Sequence, residues 1–191
     1  SSAASDVYKR QVMYSPGGGQ TDIGPEGEFT ATYLNAHSED RSEVPLPDGT
    51  TRRMPLGSAL NLWLEELGLV DQAAAKDLGR LGMGLYVQPV NREQRVDLTS
   101  VGVGVSQALP VVLLCLLARP GSIVLIEQPE LHLHPAMQLK LADFLLACSR
   151  AGRQIVIETH SEHIINRLRL RVAADETSET ADIVRLLFAE Q

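Results

Sequence analysis

Residues 123–135 read IVLIEQPELHLHP. Four apolar residues run straight into Glu127, Gln128, Pro129 and Glu130, and two histidines follow at alternate positions, His132 and His134. A short apolar run that stops at a turn signal reads as a fully buried strand, here Ser122–Ile126. Working outward, an apolar helix is expected over Ser106–Leu117, a helix from about Ala136 to Arg150, a strand over Gln154–Glu158 and a helix over Ser161–Val172. Two strands joined by a crossover with one helix form a parallel, right-handed unit. The expected fold class is therefore α/β, a three-layer arrangement with a parallel sheet flanked by helices. The carboxyl ends of both strands lie on one edge, where open α/β sheets bind ligands. That edge receives Glu127 and Gln128 from one strand, and Glu158, Thr159 and His160 from the other.

The upstream half is less regular. Residues 14–57 are rich in Gly, Pro, Ser, Thr and acids and read mostly as loop, with FTATYL as a helical turn or two. SALNLWLEELGL, from Ser58 to Leu69, places Leu60, Trp63, Leu64 and Leu67 on one helical face, with Ser58 at the cap and Gly68 closing the helix. Leu85–Val90 and Arg95–Leu98 read as two short strands, a hairpin or an edge pair. The last segment, ADIVRLLFAEQ, reads as the start of another apolar helix. The opening string SSAASDVYKRQ, residues 1–11, resembles a translated adapter string found at the ends of assembled sequence reads and is set aside. The chain then divides into a loop-rich segment over 12–57, a helix and short-strand insertion over 58–98, a core over 99–172 and the start of an extension over 173–191.

With 191 residues and 44% hydrophobic content, the chain has material for one sizeable core. Its formal net charge of -7 gives no surface for a phosphate backbone without a local basic patch. Arg167, Arg169 and Arg171 stand at alternate positions, spread around a helix, and read as a solvated face. Cys115 and Cys148 stand alone in apolar helical stretches, as small buried hydrophobes that suit a reducing cytoplasm. No run reaches the roughly 18 apolar residues of a membrane span, and no signal-peptide pattern opens the chain. A cytoplasmic protein with no membrane partner is expected.

Two chemistries read from the residues alone could use the shared edge. A zinc or di-metal hydrolase would draw on His132, His134, His160 and His163. The H-x-H pair shares a face only in extended chain, however, and a barrel hydrolase needs about 250 residues. A dinucleotide site would draw on VDLTSVGVGVSQA, with Gly102-x-Gly104 before a helix and Glu127 imitating the ribose-binding acid. There the third glycine is replaced by Gln107, and the histidines are left without a role.

The ordered set VGVGVSQALP, IVLIEQPELHLHP and IVIETHSEH resembles the signature motif, the Walker B with D-loop, and the H-loop of ABC-class ATPases. The likeness is to the prokaryotic branch of OLD-type nucleases and RecF-like and AAA-labelled ATPases, close over residues 96–172 and looser on either side. It implies a partial P-loop NTPase fold of the ABC-type head, with ATP and magnesium as cofactors. On this resemblance Glu127 takes the Walker B position that holds magnesium through its water shell. Gln128 stands where most members keep a catalytic Glu; since Gln cannot accept a proton, Glu130 supplies the carboxylate or hydrolysis is slow. His160 matches the histidine that contacts the γ-phosphate, and His134 with Pro135 match the D-loop. Gly104, Ser106 and Gln107 match the signature segment, which closes on ATP held by a second subunit, whereas Val105 replaces a residue that is usually small there.

A Walker A loop ends in Gly-Lys-Ser or Gly-Lys-Thr. Lys9, Lys76 and Lys140 follow Tyr, Ala and Leu, so the sequence has no Gly-Lys. The expectation is the C-terminal part of an ATPase head, truncated at both ends and missing the Walker A lobe. Its parent would dimerise head to head, serve DNA repair or phage defence, and have a DNA or nuclease partner. A non-hydrolysing interaction module with a degenerate ATPase fold is the alternative.

Overall fold

The computed structural model describes residues 11–16, 20–24, 27–91 and 93–188. Strand β8 (Ile123–Glu127), helix α4 (Pro135–Arg150) and strand β9 (Gln154–Glu158) form the expected crossover. The two strands pair in parallel from Ile123 with Gln154 to Glu127 with Glu158. On the other side of β8 lies β1 (Gln11–Tyr14), antiparallel, followed by β2 (Gln20–Asp22), in the order β2-β1-β8-β9. The sheet is thus mixed and not purely parallel, and β9 is its edge strand among the described residues. Gln11, counted with the opening string, pairs with Ile126; residues 1–10 lie outside the described residues.

Strand β8 is half-buried, not fully buried as its composition suggests. Val124 and Ile126 point into the core, whereas Ile123, Leu125 and, on β9, Val156 are 38%, 36% and 46% exposed. The covered face meets helix α3 (Val103–Leu117) and α4. Helix α5 (Glu162–Ala173) packs on α4, so among the described residues the three-layer expectation gives way to a sheet with one covered face. The joint between α4 and α5 is ionic. Arg167 and Arg171, four residues apart and hence on one face, both donate to Asp143, at distances from 2.7 to 3.1 Å. Only Arg169 keeps the solvated role expected of all three. Cys115 and Cys148 are both free and buried, as expected, and the neighbouring Cys148 side chain together with burial pushes the Cys115 thiol well above its ordinary range.

The segment read as loop-rich carries helix α1 (Thr30–His37) and the antiparallel pair β3 (Arg41–Pro45) and β4 (Thr51–Pro55), besides β1 and β2. Strands β3 and β4 are short, and their exposed positions are polar, so no alternation marks them. Helix α2 (Leu56–Glu66) begins two residues before Ser58 and has no side-chain cap; Gly68 closes it as expected, at φ 73°. Strand β5 (Gln72–Asp77) is unforeseen, and pairs with β6 (Met83–Gln88), which in turn pairs with β7 (Val96–Asp97). The final apolar helix shrinks to α6 (Glu179–Ile183), and Leu187 and Phe188 beyond it are 95% and 72% exposed. Among the described residues, no neighbouring element covers Leu187 and Phe188.

Two buried side chains bind these parts into one core. Trp63 on α2 stacks edge-on against Phe144 of α4, centroids 4.8 Å apart, and its indole N–H donates to the Pro45 carbonyl at 2.9 Å. Arg153, only 3% exposed, donates to the carbonyls of Ala118, Ala151 and Glu43 and so fixes the start of β9 against α3 and β3.

Burial raises the Asp143 carboxyl, but the bonds from Arg171 and Arg167 outweigh it and leave the group below its ordinary value. A depressed folded pKa adds stability above the unfolded value and loses it as pH falls through the folded one. Replacing Asp143 by Asn should therefore lower the urea midpoint at pH 7 by the equivalent of about 1 kcal/mol. The difference from the unaltered protein should shrink steadily below about pH 4.

Candidate functional site

The site grows from the exit of β8. The Gln128 N–H donates to the Glu158 carbonyl at 2.8 Å and carries the parallel ladder one residue past Glu127. The chain then coils tightly, with the Leu131 N–H on the Gln128 carbonyl and the Leu133 N–H on the Glu130 carbonyl, at 3.3 and 3.0 Å. Gln128 and His132 sit at φ 45° and 62°, left-handed conformations that cost a non-glycine residue about 1–2 kcal/mol each. His134 ends the coil as the N-cap of α4, its Nδ1 accepting the Ala136 N–H at 3.3 Å, with Pro135 in the first helical position.

The exit of β9 packs against this coil. Glu130 is 7% exposed; its Oε1 accepts the His160 N–H at 2.9 Å. Its Oε2 is buried without a hydrogen-bond partner among the described residues. Ser161 caps α5, accepting the Ile164 N–H at 3.1 Å, and its hydroxyl donates to Gln138 Oε1 at 2.6 Å. Gln138 in turn donates from Nε2 to the Leu133 carbonyl at 2.8 Å. A cleft of about 460 Å³ opens between the two exits, lined by Glu130, His132, Gln138, His160, Ser161 and His163, among others.

The third segment is the start of α3, which begins at Val103 with Gly102 as its N-cap, three residues earlier than expected. Gly104, Ser106 and Gln107 therefore lie in the first turns of the helix, and the Ser106 hydroxyl donates back to the Val103 carbonyl at 2.9 Å. A Cβ on Gly104 would come within 2.8 Å of the His132 carbonyl oxygen, so this glycine allows the helix to rest on the coil.

The structure thus joins Glu130 and His160 directly, and His132 with them in the cleft. Glu127 and Gln128 stand at the neighbouring strand end, and the α3 segment touches the far side of the coil. Ser161 and Gln138 were missed by sequence reasoning: a Ser before an amphipathic stretch marks the first as a cap, and nothing in the sequence marks the second. Glu127 and Glu158 are in register on adjacent parallel strands, so two carboxylates share a face at the edge. Such a hard-oxygen pair fits magnesium, which keeps several waters and takes few protein ligands.

Two earlier readings fall here. Among the described residues no three His, Cys, Asp or Glu are grouped to hold a metal by themselves, so the four histidines form no zinc site. The strand before Gly102 is β7, which belongs to the antiparallel β5-β6-β7 sheet. A dinucleotide unit needs that strand in the parallel sheet, beside β8.

Residues 34–166, more than half of the chain, match the family described as "AAA domain, putative AbiEii toxin, Type IV TA system". The chain belongs to this AAA domain family. The matched span runs from α1 into α5 and includes all three segments of the site. Two solved structures are similar to the chain, and the first of them agrees with it in fold. One comes from work on "ATP-driven dimerization and DNA stimulated activation of SMC ATPases", with a TM-score of 0.51, 11% identity, and coverage of 71% of this chain and 76% of that one. Another is the Smc head domain with an extended coiled coil bound to the C-terminal domain of ScpA from Pyrococcus furiosus, with a TM-score of 0.47, 13% identity, and coverage of 75% of this chain and 33% of that one. No curated protein sequence is similar enough to match. The AAA domain here is an α/β fold of the ATPase-head type. None of its helices, among the described residues, is long and apolar enough to cross a membrane.

The close seat of α3 gives a direct check. Replacing Gly104 by Ala forces either the helix start or the His132 carbonyl to shift, at a cost of about 1–3 kcal/mol. Thermal unfolding should show that loss, and amide chemical-shift changes should concentrate at residues 102–106 and 130–134.

Proposed function

We propose that this AAA domain is the Walker B and H-loop half of an ABC-type ATPase head that binds ATP with magnesium and hydrolyses it slowly. The observation that carries the reading is the convergence on one sheet edge of the β8 exit, the β9 exit and the start of α3, bonded or packed to one another. In this reading Glu127 holds magnesium through its water shell, and the bound ion supplies neutralisation of phosphate charge. His160, exposed at the cleft, reaches the terminal phosphate. Gly104, Ser106 and Gln107 open α3, whose positive end suits the phosphates of ATP held by a second head. ATP then joins two copies head to head.

Gln128 can orient a water molecule but cannot take its proton. Glu130 gives no ready substitute, with Oε1 bonded to the His160 amide and Oε2 buried. Slow turnover is therefore part of the proposal, and Gln128 equally favours the second reading, a non-hydrolysing interaction module. We place the Walker A loop in polypeptide that pairs with the edge of β9, unpaired among the described residues, and covers the face of Ile123, Leu125 and Val156. We assign the work driven to DNA repair or phage defence in the cytoplasm, in the OLD-like and RecF-like branch, with DNA or a nuclease as partner.

The test is magnesium-dependent binding of a fluorescent ATP analogue to a polypeptide that joins this chain to a Gly-Lys-Ser or Gly-Lys-Thr loop. Replacing Glu127 by Ala should weaken it about tenfold, the scale for a group supporting a bound metal. Binding that ignores both magnesium and the substitution would remove Glu127 from the site. Phosphate release, followed in a polypeptide that includes a Gly-Lys-Ser or Gly-Lys-Thr loop, separates the two readings: slow release supports the ATPase and none supports the interaction module.

A further inference from the structure

We propose that Glu130 is a positioning residue, whose carboxylate straps the β8 exit to the β9 exit and so fixes the His160 ring at the cleft. The bond is specific in its geometry. Oε1 takes the backbone N–H of His160 itself, at 2.9 Å and across 30 residues of sequence. His160 is exposed, two residues beyond the last paired residue of β9, and outside the regular ladder. The local turn orders its neighbour: the Ser161 N–H goes to Thr159 Oγ1 at 3.0 Å. The strap is thus what ties the His160 backbone to the rest of the site.

The position of the acid argues in the same direction. A carboxylate that is 7% exposed and leaves one oxygen without a partner among the described residues is a liability for stability, which an apolar side chain would not incur. Its use lies in the oxygen that is bonded. The same coil presents the His132 carbonyl to the start of α3 at the glycine that admits it. This role gains its functional meaning from the ATPase reading, in which His160 meets the terminal phosphate.

The experiment uses the isotope-labelled full chain without nucleotide, so that its result stands apart from any ATP-binding result. Amide hydrogen exchange and the ring resonances of His160 are compared in the unaltered protein and in Glu130→Ala, Glu130→Asp and Glu130→Gln. The His160 amide should exchange at least tenfold faster in the Ala and Asp variants, the first lacking an acceptor and the second too short to reach. Its ring signals should shift in both. The Gln variant keeps an acceptor oxygen at the same reach and should restore slow exchange and the original ring environment. Amides of β8 and β9 should keep their protection, and if the Ala variant does not fold, the Asp and Gln pair carries the comparison. Unchanged His160 exchange in the Ala or Asp variant, or a Gln variant as defective as Asp, would overturn the strap.

Discussion

The parallel pairing of β8 with β9 is the constraint on which the site depends. Once Glu127 is in register with Glu158, both chains must leave the sheet on one edge, and everything between them has to fit in the space there. Helix α4 enforces this arrangement. Its 16 residues span about 24 Å, against about 17 Å for a five-residue strand. The surplus length leaves room for the Gln128–Leu133 coil between the exit of β8 and the start of α4. Arg153 at the opposite end holds the return into β9, through three carbonyls from three parts of the chain.

The coil itself is a strained object held by its surroundings. Two left-handed non-glycine residues work against folding, and so does a buried carboxylate with one oxygen unpartnered. Against this stand the Gln128 bond to β9, the Glu130 bond to His160 and the relay from Leu133 through Gln138 to Ser161. None of these partners lies within the coil. The conformation is therefore a property of two strand exits and two helix starts together, and a change at any one of them is felt at the others.

This explains how unevenly the protein could be read from its sequence. The core elements between Val103 and Ala173 were legible, because apolar runs there end at clear turn residues, and the shared edge followed from the crossover alone. The half-open sheet was not: a continuous Ile-Val-Leu-Ile run looks the same whether one face or both are covered. Strand β5 is Ala-rich, without a β-branched residue, and exists through its pairing with β6. The arginines on α5 read as surface because their acceptor, Asp143, sits on another helix. Within the site, Glu127 and His160 could be picked out by residue type and strand-end position. The Glu130 strap and the Gln138 relay could not, since both are contacts between segments with no local signature.

Electrostatics at the edge limits what can bind there. Glu127 and Glu158 stand side by side at the strand ends, Glu130 is buried at the cleft, Glu162 opens α5 there, and the chain carries a net charge of -7. Like charges paired directly across strands repel each other. A triphosphate approaching this edge alone would add to that repulsion, and the amides at the start of α3 offer only partial positive charge. A divalent cation held at these carboxylates would offset their charge and turn the approach of a triphosphate from repulsion to attraction. For the function proposed, magnesium is then more than an aid to the chemical step: it makes the edge a place where a nucleotide can bind at all.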